Sequence, residues 1–192
     1  MRMSNSMEHL CAGVRGGQDM VKNFIDDYYF SVCNSQEIES LDGYCDFFRK
    51  QMATWLVVPT LLARKVAEDD RFTLAIQRAY ESFGIAWRLL DDIQDVEKDM
   101  TAGTHSAIYY CLSEDLQHMW DKQTGKKLDN SNENAKVIWK FVLRTGSINR
   151  IKARICRELE SAGAIADRLN MPGLKNEFIS LLQPIKNKPD ST

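Results

Sequence analysis

Phe83-Gly84-Ile85-Ala86-Trp87-Arg88-Leu89-Leu90-Asp91-Asp92-Ile93-Gln94-Asp95, followed shortly by Asp99, is the stretch on which the fold turns. Asp91, Asp95 and Asp99 stand four residues apart, so a helix stacks them on one face. Like charges at that spacing repel, and Asp is a mediocre helix former. A sequence that tolerates both beside Trp87, Leu89, Leu90, Ile93 and Val96 calls for a cation among the carboxylates. Oxygen ligands without His or Cys point to a hard ion, and magnesium is the expected cofactor.

Outward from this stretch the chain is helical in pattern. Between Phe72 and Leu90 apolar residues form more than one stripe, which predicts a central helix covered on most sides. Helices are expected at roughly 7–32, 36–66, 69–98, 105–121, 132–144, 147–169 and 172–184. Ser35, Asp69 or Asp70, and Ser131 or Asn132 read as helix starts, and Pro172 fits a first turn. Residues 122–133 read as an exposed loop, and 185–192 as a flexible tail. The fold class is all-α, a helical bundle with a polar, metal-binding end, and residues 1–192 read as a single domain.

Composition narrows the function. The chain has 192 residues, 44% of them hydrophobic and 27% charged, as in an ordinary globular protein. A net charge of −2 supplies no basic field for nucleic acid. The apolar run Trp55 to Ala63 is short and interrupted by Pro59, so no transmembrane segment is expected. Five cysteines without a CxxC pair favour reduced thiols over a zinc site, and the absence of a leader pattern makes a cytoplasmic location the expectation.

Three ordered features then resemble the trans-isoprenyl diphosphate synthases, the polyprenyl synthetases of the class I terpenoid synthase fold. Gly16-Gly17-Gln18-Asp19 is similar to that family's GGQxxD-type helix. Tyr44 with Lys50 is similar to the segment bearing its Lys-Thr dipeptide, although Gln51 follows the lysine here. Trp87 to Asp95 resembles the second aspartate-rich motif, and Asp99 to Ser106 resembles the turn downstream, with Thr104 where the family has lysine. The resemblance implies that Asp91, Asp92 and Asp95 bind magnesium, and that Asp91, Asp92 and Lys50 carry the chemistry on an allylic prenyl diphosphate. It implies substrate contacts from Lys50 and from Arg88, which stands where the family has Gln and otherwise forms an i,i+4 ion pair with Asp92. Gln18 is either a ligand or a buried structural amide.

The implied activity is magnesium-dependent ionisation of a prenyl diphosphate for chain elongation. The alternatives are a catalytically incomplete subunit that supports a full-length prenyltransferase, a squalene or phytoene synthase-like condensation, which the short Asp95–Asp99 spacing also resembles, and a terpene cyclase. The family's first aspartate-rich motif precedes the GGQ helix, so the resemblance implies a chain lacking those N-terminal helices. A homodimer, or a heteromer with a related prenyltransferase chain, is the implied assembly. His105 reads as a loop residue, and Met52, Trp55, Phe83 and Trp87 read as core.

Overall fold

The structure, a computed structural model, describes residues 8–33, 37–126 and 133–186. Among these residues the regular structure is entirely helical, with no strand. Residues 8–12 are helical (α1). There follow α2 (Gly17–Cys33), α3 (Leu41–Gln51), α4 (Ala53–Ala67), α5 (Asp70–Gln94), α6 (Val96–Ala102), a 3-10 turn (Tyr109–Cys111), α7 (Glu114–Asp121), α8 (Glu133–Arg144), α9 (Ser147–Arg168), α10 (Pro172–Ser180) and α11 (Gln183–Lys186). No described helix is long and apolar enough to cross a membrane. The caps expected at Ser35 and at Ser131 or Asn132 lie outside the described residues, as do parts of the expected loop and tail.

The described chain forms two compact units, divided between Glu37 and Ile38 and inside α3, α5 and α9. The first holds 8–33, 37, 46–85 and 158–186. There α2 packs on α4, and Ala79 of α5 meets Ala162, Ile165 and Ala166 of α9 and Phe178 of α10. Small residues at these positions let the helices approach closely, and Phe83 lies on Phe178 with ring centroids 5.7 Å apart. The second unit holds 38–45, 86–126 and 133–157. Its buried side chains include Leu89, Val96, Met100, Ile108, Trp120, Ile138, Val142, Ile151 and Ile155, and α7 packs on α8.

Several helices are shorter than their apolar patterns suggest, for identifiable reasons. The expected helix over 36–66 is divided at Met52, whose backbone (φ −79°, ψ 1°) leaves the helical path. The Met52 side chain lies so close to Gly84 that a Cβ there would sit 2.0 Å from the methionine methyl. A side chain at 84 would displace the end of Met52, so Gly84 gives that methionine its place against α5. Pro59 is carried within α4, which it deprives of one ladder hydrogen bond. Between 105 and 121 the chain makes a 3-10 turn and then α7, because Ser113 is extended (φ −71°, ψ 159°) and restarts the helix. The N-terminal helix is interrupted before α2, where Gly16 takes φ +69°. A Cβ on Gly17 would meet the Cys11 carbonyl oxygen at 2.6 Å.

Candidate functional site

The aspartate stretch spans the end of α5 and the first turn of α6. The helix does not run straight to 98 as its pattern suggests. It bends at Asp95 (φ −99°, ψ 15°) and resumes at Val96. The hydrogen-bond register nevertheless survives the bend. Asp95 N–H donates to the Asp91 carbonyl and Asp99 N–H to the Asp95 carbonyl, each at 2.8 Å. Asp91, Asp95 and Asp99 therefore keep their one-turn spacing. The second helix closes at Gly103, which adopts φ +70° and donates to the Met100 carbonyl at 3.3 Å. Thr104 N–H returns to the Asp99 carbonyl at 2.8 Å. This is a left-handed helix end of the kind glycine permits.

Asp92 belongs to a different face. Leu89, Asp92, Val96 and Met100 are separated by three, four and four residues, and all four are buried. The Asp92 carboxylate, 1% exposed, is met by three protein donors. Its Oδ2 accepts from the Tyr44 hydroxyl at 2.7 Å and from the Ala107 N–H at 2.9 Å. Its Oδ1 lies 3.0 Å from Arg88 Nε, which also donates to the Tyr44 oxygen at 2.8 Å. The group thus ties α5 to α3 and to the segment that follows Gly103.

Electrostatics follow from this burial. Removal from water raises the Asp92 pKa, while Arg88, the Ala107 N–H and the Tyr44 hydroxyl pull it back down. Burial, reinforced by the Asp92 charge, pushes the Tyr44 phenol far up, so Tyr44 stays a proton donor. Burial and then the Asp92 charge raise Asp99, against the Ser106 hydroxyl and Arg88.

The expected metal ligands are accordingly not equivalent. Asp91 is exposed and Asp95 half-buried, whereas Asp92 faces inward with its oxygens engaged. Asp95 Oδ2 lies 2.7 Å from Lys98 Nζ. That hydrogen bond and the Asp95 charge raise the Lys98 pKa, and the charges of Asp91 and Asp99 add to the shift. Among the described residues, no three His, Cys, Asp or Glu side chains gather as a metal-holding group.

Arg88 makes the i,i+4 pair with Asp92. Lys50 and Gln18 belong to the first unit. Lys50 is exposed and lines a cleft of about 180 Å³ with Phe24, Asp27, Arg49 and Glu81. Gln18 is an exposed residue at the start of α2, not a buried amide.

His105, expected as a loop residue, joins Asp121, Tyr109 and Tyr110, which the sequence did not single out, in the second unit's polar cluster. His105 Nε2 lies 2.8 Å from Asp121 Oδ1, and the imidazole stacks on Tyr109 at 3.8 Å with the rings 5° from parallel. Tyr109 also contacts Tyr110 and Trp120 edge-on, and Tyr110 lies 5.3 Å from Tyr44. The His105–Asp121 pair spans sixteen residues and a helix start, so no local spacing signals it. Two residues expected in the core are on the surface instead: Trp87 is 57% exposed and Trp55 66%.

No protein-family model, curated protein or solved structure matches this chain.

Proposed function

We propose that the chain binds an allylic prenyl diphosphate with magnesium, in the manner of the isoprenyl diphosphate synthases its motifs resemble. The supporting observation is the division of labour on one helix. Asp91, which is exposed, and Asp95, half-buried and paired with Lys98, keep a one-turn register while Asp92 between them is tied inward. Magnesium is commonly held by one or two carboxylates together with substrate phosphates, rather than by an all-protein cage. Two carboxylates without a third ligand are compatible with that habit, so the donor set fits the ion. When bound, the metal would supply charge stabilisation for a departing diphosphate. Lys98, 78% exposed and paired with Asp95, can swing aside at little cost and leave its charge nearby.

The engagement of Asp92 and Arg88 with each other favours a second reading. With both groups occupied by the fold, fewer remain for the substrate, which suits a binding subunit that supports a related prenyltransferase. Farnesyl diphosphate and a non-ionising thiolo analogue separate the two readings. Magnesium-dependent binding of both, with pyrophosphate released from the diphosphate, supports the enzyme. Binding of both without release supports the subunit. Absence of magnesium-dependent binding to either refutes the proposal.

A further inference from the structure

Four large apolar side chains face water along one side of α4. Trp55, Val58, Leu62 and Val66 are 66, 44, 46 and 80% exposed. Spacings of three, four and four residues put them on one helical stripe about 17 Å long. The same helix also buries Leu56, Val57, Leu61 and Ala63, and α2 packs against it. So α4 carries two apolar faces, where a helix at a protein surface ordinarily has one. The Trp55 ring is held edge-on to Phe48, with centroids 6.2 Å apart. Together the four side chains leave roughly 400 Å² uncovered in one strip, a size at which a surface patch commonly serves an interaction.

We infer that this stripe joins two copies of the chain, their α4 helices antiparallel across a twofold axis near residue 60. The spacing selects a second copy. A twofold contact uses the same surface on both chains, so the stripe must complement its own reverse. Val58 and Leu62 lie two residues either side of position 60, and Trp55 and Val66 lie five and six. Reversed, the stripe sets Trp55 on the partner's Val66 and Val58 on the partner's Leu62, a larger side chain against a smaller one at each level. Charge agrees with this order. Beside the stripe α4 carries one charged side chain, Lys65, and the antiparallel arrangement sets the two lysines about 15 Å apart along the helices, beyond the Debye length of about 8 Å. A lipid surface would be favoured by a row of cations along the stripe, which α4 lacks. Two such strips bury about 800 Å², and a polar rim brings the total toward the roughly 1,200 Å² at which specific interfaces begin. The dimer is therefore weak and forms with rising concentration. The inference is independent of the prenyl diphosphate reading.

Sedimentation velocity of the full chain, from about 5 to about 300 μM, is the test. The weight-average mass should climb with concentration toward twice that of one chain. Val58→Lys and Leu62→Glu each set a charge against an apolar partner position, and each variant should stay monomeric over that range with an unchanged far-ultraviolet circular dichroism spectrum. Mixed in equal amounts, the two variants should pair again, because the new lysine of one chain then faces the new glutamate of the other. An unaltered chain that remains monomeric throughout overturns the inference, whether or not it binds vesicles of phosphatidylcholine and phosphatidylserine. Single variants that dimerise as the unaltered chain does show that another surface pairs, and overturn it too. Variants that are monomeric alone and stay so when mixed rule out the antiparallel register. Should either variant fail to fold, Val66→Asp at the most exposed position takes its place, and undiminished dimerisation by that chain refutes the contact.

Discussion

Replacing Asp92 tests whether this carboxylate serves the fold. In Asp92→Asn the amide oxygen can take the place of Oδ2 and keep Tyr44 and Ala107, while the amide nitrogen then confronts Arg88 Nε, donor against donor. Losing the ion pair would cost about 3–5 kcal/mol if both charges were sealed from water. Two features reduce that figure. The Arg88 side chain is 31% exposed and recovers hydration, and a neutral amide no longer bears the desolvation that raises the Asp92 pKa. A net loss of about 2 kcal/mol follows for Asp92→Asn. Asp92→Ala strands the Tyr44 hydroxyl and the Ala107 N–H as well, each at roughly 1–3 kcal/mol, so its total is about 4–8 kcal/mol. For a chain of this length each kcal/mol moves the midpoint by about 2–4 °C, so the drops should be near 6 °C for the amide and about 12 °C or more for the alanine. Thermal unfolding followed at 222 nm, with urea titrations for the free energies, reads both. Values for both variants within about 0.5 kcal/mol of the unaltered chain, the usual range for surface changes, would refute the assigned role.

Two further outcomes follow. Gly103→Ala forces an L-residue into φ +70° and sets a methyl 2.6 Å from Thr124 Oγ1, so it should destabilise by at least about 1–2 kcal/mol in urea unfolding. An unchanged midpoint would contradict the helix end described. Asp99 has a pKa raised from 3.8 by burial and by the Asp92 charge, so the native state holds its proton more tightly than the unfolded chain. Its contribution to stability is full below the unfolded value and is lost as pH rises through the folded one. Asp99→Asn should therefore gain stability relative to the unaltered chain as pH climbs from the unfolded aspartate value of about 3.9 through the raised folded one. A difference between the two that stays constant with pH would count against the shift.

The helical class was legible because apolar residues recur at helical spacing and few prolines or glycines interrupt them. The start of α8 near 133, the boundaries of α9 and the first-turn placement of Pro172 follow from such local signals. What escaped depends on distant partners. The division at Met52 falls where its side chain lies against Gly84, thirty-two residues away. The Asp92 partners Tyr44 and Ala107 are 48 and 15 residues distant, yet one signal was present: Asp92 falls in the buried series Leu89, Val96 and Met100. The carboxylates at 91, 95 and 99 repeat along one face, whereas Asp92 shares its face with the core. Trp87 lies two residues before Leu89, on another side of the helix, which accounts for its exposure.

In the proposed function Asp91 and Asp95 serve a ligand while Asp92 serves the fold. Magnesium-dependent binding of farnesyl S-thiolodiphosphate by Asp91→Asn, alongside its thermal midpoint, tests this most directly. At least a 10-fold loss of affinity is expected, with the midpoint within about 2 °C of the unaltered chain, since Asp91 is an exposed side chain. Undiminished binding by Asp91→Asn would contradict it.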